Sequence, residues 1–118
     1  MIANFPNSLE LLESAHAQNL YDPLIAQLLK DFNLANVPID FSLDVEPSDL
    51  KATLQEKIYF LILEKFTDYL NLLYVIDVPE KAFKEISALD VVEVAEQVSF
   101  LIFKREWEKV WFKAKYAS

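Results

Sequence analysis

Apolar residues recur at helical spacing between positions 48 and 76. One stripe of them contains Leu50, Leu54, Ile58, Leu61, Ile62, Tyr69, Leu73 and Ile76. A second stripe lies beside the first and contains Tyr59, Leu63, Phe66, Leu70 and Tyr74. So wide an apolar surface predicts one long helix over about 48–76, packed on two sides as the central element of the fold. A rival interpretation makes 72–78 a strand, because its β-branched and aromatic residues suit one.

Helix-start signals predict further helices before and after this element. Ser8 can cap a short helix, and Asp22 followed by Pro23 favours the start of a second one. Pro79 stops the central helix and can open a short one. The Ser-x-x-Asp spacing that begins at Ser87 then precedes the last helix, which we expect over about 88–115.

The segment 37–46 departs from the helical pattern. From Ile39 to Val45 apolar and polar residues alternate with period two, between Pro38 and Pro47. This predicts an extended connector that either lies across the helices or pairs as a strand with another chain. The sequence therefore predicts an all-α fold, a single domain over 1–118. It would have four or five helices, two of them long (about 48–76 and 88–115).

The apolar side of the last helix turns along its length. Its first half has one apolar face, made of Val91, Val94, Ala95, Val98, Leu101 and Ile102. Its second half has another, turned by nearly half a revolution, made of Phe100, Phe103, Trp107, Val110, Trp111 and Ala114. Either the helix is bent near 99–104, or it is straight and its second half packs on another molecule. No glycine or proline marks a bend, which favours the second interpretation.

The aromatic half of the last helix is the predicted partner-binding site. Trp107 and Trp111 lie four residues apart on one side, and tryptophan is enriched at the centres of interfaces. The predicted contact residues are Phe100, Phe103, Trp107, Val110 and Trp111. We therefore expect a non-enzymatic protein-interaction module that forms a homodimer or binds another protein. In the alternative interpretation the same aromatic side chains fill the core of one subunit.

Composition excludes several classes of function. The chain has no glycine and no cysteine, which excludes phosphate-binding glycine loops, thiolate metal sites and disulfides. Its net charge of −8 argues against nucleic acids and anionic membranes as partners. The sequence shows neither a signal-peptide pattern nor an apolar run near the roughly 20 residues of a spanning helix. A cytoplasmic location is the expectation.

Negative charge is concentrated in the first half of the chain. Residues 1–50 carry eight acidic side chains and one basic side chain. Four of the acidic residues lie on or beside the connector: Asp40, Asp44, Glu46 and Asp49. A rigid acidic surface can plug a basic cleft, so the alternative function is that of a small acidic inhibitor or immunity-type protein. The simpler interpretation is that these charges keep the protein soluble.

Two carboxylate patterns suggest a third class, a carboxylate-based metal enzyme. Glu13 and His16 have the Glu-x-x-His spacing of di-iron helical bundles. Such a site needs two of these pairs, and His16 is the only histidine. Glu64 and Asp68 are four residues apart, but Glu64 falls on the polar strip of its helix, where a solvated side chain is expected. The sequence therefore predicts no metal ligand, no cofactor and no catalytic residue.

Overall fold

The fold is described from a computed structural model, which covers residues 4–87 and 90–116. Its helices are α1 (Ser8–Ala17), α2 (Tyr21–Leu34), α3 (Pro47–Glu64), α4 (Phe66–Ile76), α5 (Glu80–Lys84) and α6 (Val91–Tyr116). These residues contain no strand. The prediction of an all-α fold is confirmed, although the described part of the chain has six helices rather than four or five.

α6 is the central helix of the described residues, because α1, α2, α3, α4 and α5 all contact it. Buried apolar side chains of the longer helices form one core around it. The Cα radius of gyration is 13.5 Å, close to the value expected of one compact domain of this length. The sequence had assigned the central role to residues 48–76 instead.

Side-chain caps fix two of the helix starts. Asn7 Oδ1 accepts a hydrogen bond of 2.9 Å from the backbone N–H of Glu10, so Asn7 rather than Ser8 caps α1. Asp90 Oδ1 accepts one of 2.9 Å from the N–H of Glu93 at the start of α6. The predicted start of that helix at 88 lies outside the described residues.

The predicted long helix over 48–76 is interrupted at Lys65. This residue has φ −143° and ψ 59°, so α3 ends before it and α4 begins after it. The break lets α3 pack on α1 while α4 packs on α2, and both still contact α6. The sequence has no glycine or proline at this position, so the apolar pattern predicts one uninterrupted helix. The rival prediction of a strand over 72–78 is wrong, because α4 continues to Ile76.

The connector 37–46 has neither helix nor strand. Val37 is buried, and Ile39 and Val45 are partly buried against the core. The hydroxyl of Tyr21 on α2 donates a hydrogen bond of 2.5 Å to the carbonyl oxygen of Val45. Of the two predicted arrangements, the structure has the connector lying across the helices of its own chain.

α6 is one continuous helix with one buried side, so the prediction of two opposite apolar faces is wrong. Its buried residues are Ala95, Val98, Ser99, Ile102, Phe103, Glu106, Trp107 and Val110. They follow each other at the i, i+3, i+4, i+7 spacing of a single stripe. Ser99 and Glu106 occupy the middle of that stripe, and counting them as polar surface positions made the stripe look like two faces.

Three helix ends use the left-handed conformation that favours glycine, in a chain without glycine. Asn19, Asn36 and Asp77 have φ of 60°, 58° and 69°. Asn and Asp enter this region at lower cost than other non-glycine residues. Arg105 on α6 holds the last of these turns, because its Nε donates to the Asp77 carbonyl oxygen at 3.0 Å and its Nη2 pairs with the Asp77 carboxylate at 3.1 Å.

Substitution of Asn36 tests the cost of this conformation. We expect Asn36→Ala to lower the free energy of unfolding by about 1 kcal/mol. Alanine has no polar side chain whose local hydrogen bonds could offset the cost of the left-handed conformation. Asn36→Gly should leave it unchanged or raise it, since glycine enters that region freely. Urea unfolding followed by circular dichroism measures both. Asn33→Ala, inside α2, is the control and should not lower stability; equal stability of the two Asn36 variants would contradict the expectation.

Candidate functional site

A stripe of exposed apolar side chains crosses the junction of α3 and α4. Its residues, here called the α3–α4 face, are Tyr59, Phe60, Leu63, Phe66, Leu70 and Tyr74. Each is at least 39% exposed, and Tyr74 is 83% exposed. Scattered single apolar residues are ordinary on a protein surface, whereas a contiguous patch indicates an interaction site.

The helical spacing explains why these side chains form one patch. On α3, Leu63 lies three and four residues after Phe60 and Tyr59, so the three share a side of the helix. The α4 members follow each other four residues apart, which places them along one side as well. Leu63 and Phe66 lie on either side of the break at Lys65, one in each helix. The patch therefore runs from the last turns of α3 along the outside of α4.

The charge on this part of the surface is nearly balanced. Residues 56–74 carry three acidic side chains (Glu56, Glu64 and Asp68) and two basic ones (Lys57 and Lys65). The ammonium of Lys57 lies 5.6 Å from the ring centre of Phe60, a cation–π contact. Most of the chain's net charge of −8 therefore lies elsewhere, so a second acidic molecule could approach this face without strong repulsion.

The structure places most of the predicted aromatic site inside the subunit. Phe103, Trp107 and Val110 are buried, and Phe100 and Trp111 are partly buried. The Trp107 ring meets the ring of Phe5 edge-on, with centroids 6.3 Å apart. Because the chain covers these rings itself, the argument that a second copy is needed to cover them no longer holds.

The four acidic residues of the predicted alternative site are exposed: Asp40, Asp44, Glu46 and Asp49. Burial raises the pKa of the nearby Tyr21 to about 12, helped by the negative charges of Glu46, Asp22 and Asp49. Asp22 therefore belongs to the same region of negative potential. The sequence pattern predicts Asp22 only as the start of a helix. The structure brings a helix end and the connector together into one acidic surface.

The buried side of α6 contains a polar cluster that the sequence analysis missed. Lys109 Nζ lies 2.8 Å from Oδ2 of Asp31 on α2 and 2.9 Å from Oε1 of Glu106. Gln27 Nε2 donates to both carboxylate oxygens of Asp31, at 3.3 and 3.2 Å. Glu106 is fully buried and Asp31 nearly so. Asp31, Glu106, Lys109 and Gln27 are called the α2–α6 cluster below.

The two carboxyl groups of this cluster titrate in opposite directions. Burial, and a hydrogen bond with Asp31, raise the pKa of Glu106 to about 8 against the opposing effect of the Lys109 ammonium. Burial also acts to raise the pKa of Asp31, but hydrogen bonds from Glu106, Lys109 and Gln27 outweigh it and lower that pKa. At neutral pH Glu106 therefore keeps its proton while Asp31 is ionised, which leaves one anion and one cation in the cluster.

A sequence signal for this cluster exists in retrospect. Glu106 lies between Phe103 and Val110 in the buried stripe of α6, and Lys109 follows it at the i, i+3 spacing of a helical ion pair. An acid at such a position requires a buried partner. The second carboxylate, Asp31, comes from a distant part of the chain, so the sequence could not identify it.

The candidate metal residues are not brought together. Glu13, His16 and Glu64 are exposed, and no group of three or more metal-ligating side chains occurs within residues 4–87 and 90–116. The His16 ring lies beside Tyr21, with ring centroids 5.2 Å apart. Among the helices listed above, none is both long enough and apolar enough to cross a bilayer.

Comparison with known proteins found no matching family model, no matching curated protein and no matching solved structure.

Removing the cation of the α2–α6 cluster tests its contribution to stability. We expect Lys109→Met to lower the free energy of unfolding by about 3–5 kcal/mol, because it leaves a buried carboxylate without its partner. Lys115→Met, at an exposed lysine in the last turn of α6, should change it by no more than about 0.5 kcal/mol. Chemical unfolding near pH 7 measures both values. Equal losses in the two variants would show that the cluster contributes nothing specific.

Proposed function

We propose that this protein is a non-enzymatic interaction module that forms a homodimer through the α3–α4 face. The observation that carries the proposal is the exposure of six large apolar side chains on neighbouring turns of α3 and α4, whereas Phe103 and Trp107 of α6 are buried. The proposal keeps the self-association expected from the sequence and moves it from α6 to α3 and α4. It includes a cytoplasmic location, which the absence of cysteine permits.

The area of the face suits a dimer. A large aromatic side chain can remove about 150–250 Å² from water, and four of the six residues are aromatic, with exposed fractions between 39% and 83%. The face therefore offers several hundred Å² of apolar surface. A standard interface needs about 800 Å² from each partner, which this face and its polar rim can supply.

The charges of the face favour a second copy over an unrelated charged partner. In a twofold interface each copy presents the same patch, so the acidic and basic side chains of one copy can meet their opposites on the other. Glu64 and Lys65 lie at the centre of the face, next to each other at the break between the helices. The sequence pattern is consistent with this arrangement, since it predicted that the segment 48–76 packs on two sides. In the proposed dimer the partner covers the second side.

Charge substitution on the face tests the dimer. We expect the wild-type chain to associate reversibly, and Leu63→Glu combined with Leu70→Glu to raise the dissociation constant about 100-fold or more. Burying one leucine contributes about 1.5–3 kcal/mol, and each 1.4 kcal/mol is tenfold in affinity. Sedimentation equilibrium over a wide concentration range measures the change.

The matched control is Leu34→Glu combined with Leu43→Glu, two exposed leucines outside the face. This variant adds the same charge and should associate like the wild type. A wild-type chain that stays monomeric up to millimolar concentration would overturn the proposal. So would a control variant that dissociates as readily as the Leu63/Leu70 variant.

The second candidate function is binding of a basic partner through the acidic surface. It is favoured by the negative charges of Glu46, Asp22 and Asp49, which all raise the pKa of Tyr21. These carboxylates belong to the connector, α2 and α3, and they lie close enough to affect the same hydroxyl group. Leu43 is exposed between these acids and can supply an apolar contact. Complementary charge of this kind raises association rates and selects partners.

A labelled decalysine peptide is the probe for this surface. We expect Asp40→Asn, Asp44→Asn and Glu46→Gln together to weaken its binding several-fold, more at low salt than at high salt. The matched control is Glu10→Gln, Glu13→Gln and Glu96→Gln, which removes the same charge from exposed positions elsewhere. Fluorescence anisotropy measures the affinity. Equal loss in the two variants would mean that only net charge matters and would remove this candidate.

A further inference from the structure

The second half of α6 is tied to α2 by a single set of buried ionisable groups. Glu106 is fully enclosed, and the ammonium of Lys109 lies within 2.9 Å of both carboxyl groups. We propose that the α2–α6 cluster is a proton-linked latch, which holds α6 on α2 while Glu106 keeps its proton and loosens that contact when the proton is lost. The proposal is independent of the α3–α4 face.

The count of charges in the cluster explains the latch. With its proton, Glu106 is neutral, and the Asp31 carboxylate is balanced by Lys109. Neither carboxyl oxygen of Glu106 has a well-aligned hydrogen-bond partner among the described residues, so an ionised Glu106 would lack the hydrogen bonds that a buried charge needs. Without the proton, two buried carboxylates share one ammonium, and the excess negative charge is costly in a dry site.

Within residues 4–87 and 90–116, no other element contributes a buried charge that could compensate. The buried side chains of α1 and α3 are uncharged, and the titratable group among those of α4 is Tyr69, whose pKa burial raises. Asp77 after α4 pairs with Arg105 on α6, and α5 has no buried residue. The groups that act on Glu106 are Asp31 and Lys109.

A cleft between α2 and α6 lies beside the cluster. The space between α2 and α6 has a volume of about 380 Å³, and Gln27, Val110 and Lys113 are among its lining residues. Gln27 also holds Asp31, so one side chain separates the cleft from the buried carboxyl groups. A small movement of α6 away from α2 at this point would open the cluster to water.

The direction of the pH effect follows from the pKa of Glu106. The pKa of Glu106 is about 8 in the folded chain and near its ordinary value when the chain is unfolded. At a pH between these two pKa values, Glu106 is protonated in the folded chain and ionised in the unfolded chain. Stability is therefore highest at the acidic end of this window and falls as pH rises towards 8. Asp31, with its lowered pKa, acts only below this window, where stability is lost as pH falls.

The main experiment measures unfolding from pH 5 to pH 9 in the full chain. We expect the unfolding equilibrium constant of the wild type to rise by up to tenfold per pH unit between about pH 5 and pH 8. Glu106→Gln keeps the shape and the donor but cannot titrate, so its profile should be flat in that range. Glu96→Gln, an exposed acid earlier on the same helix, should follow the wild type. A Glu106→Gln variant as pH-dependent as the wild type would overturn the proposal.

A second measurement needs no variant to fold. Infrared spectroscopy of the wild type at pH 7 should show the carbonyl band of a protonated carboxylic acid, and its absence would overturn the proposal.

A third measurement follows tryptophan fluorescence. In the Trp111→Phe variant, Trp107 is the only tryptophan, and it lies next to Glu106 in the sequence. Its emission should shift to the red between pH 6 and pH 9 as α6 loosens, whereas an unchanged emission maximum would contradict the latch.

Discussion

A buried carboxyl group on the central helix sets the constraint on which this fold depends. α6 contacts all five other helices, and Glu106 lies in the middle of its buried side. An isolated carboxylate there would cost several kcal/mol, so the position requires a proton, a cation or both. Asp31 and Lys109 meet that requirement, and in doing so they fix how the second half of α6 lies against α2.

The local spacing of apolar residues predicted that the chain forms helices, but it did not predict where a long helix is interrupted. Helical periodicity correctly predicted an all-α chain, and capping residues predicted the starts of α1 and α6 to within a few positions. The interruption at Lys65 has no local marker, because what favours it is the packing of α3 on α1 and of α4 on α2. The spacing of apolar residues cannot predict which helices pack against each other.

The candidate sites were predictable to different degrees. The six residues of the α3–α4 face were recognisable as an apolar surface, but the sequence could not show that this surface stays uncovered. The aromatic half of α6 was misread because Ser99 and Glu106 are buried polar residues, which a two-letter apolar and polar pattern assigns to the outside. The partner of Glu106 is 75 positions away in the chain at Asp31, and only the fold brings the two together.

The two regions on which the functional argument depends are opposite exceptions to the usual pattern of burial. The α2–α6 cluster places charge inside, whereas the α3–α4 face places large apolar side chains outside. Each exception lowers the stability of an isolated subunit, and such exceptions concentrate where a protein does something besides folding. The cluster lies on α2 and α6 and the face lies on α3 and α4, so each can be altered alone. In the two proposals, one region binds a second copy and the other responds to pH.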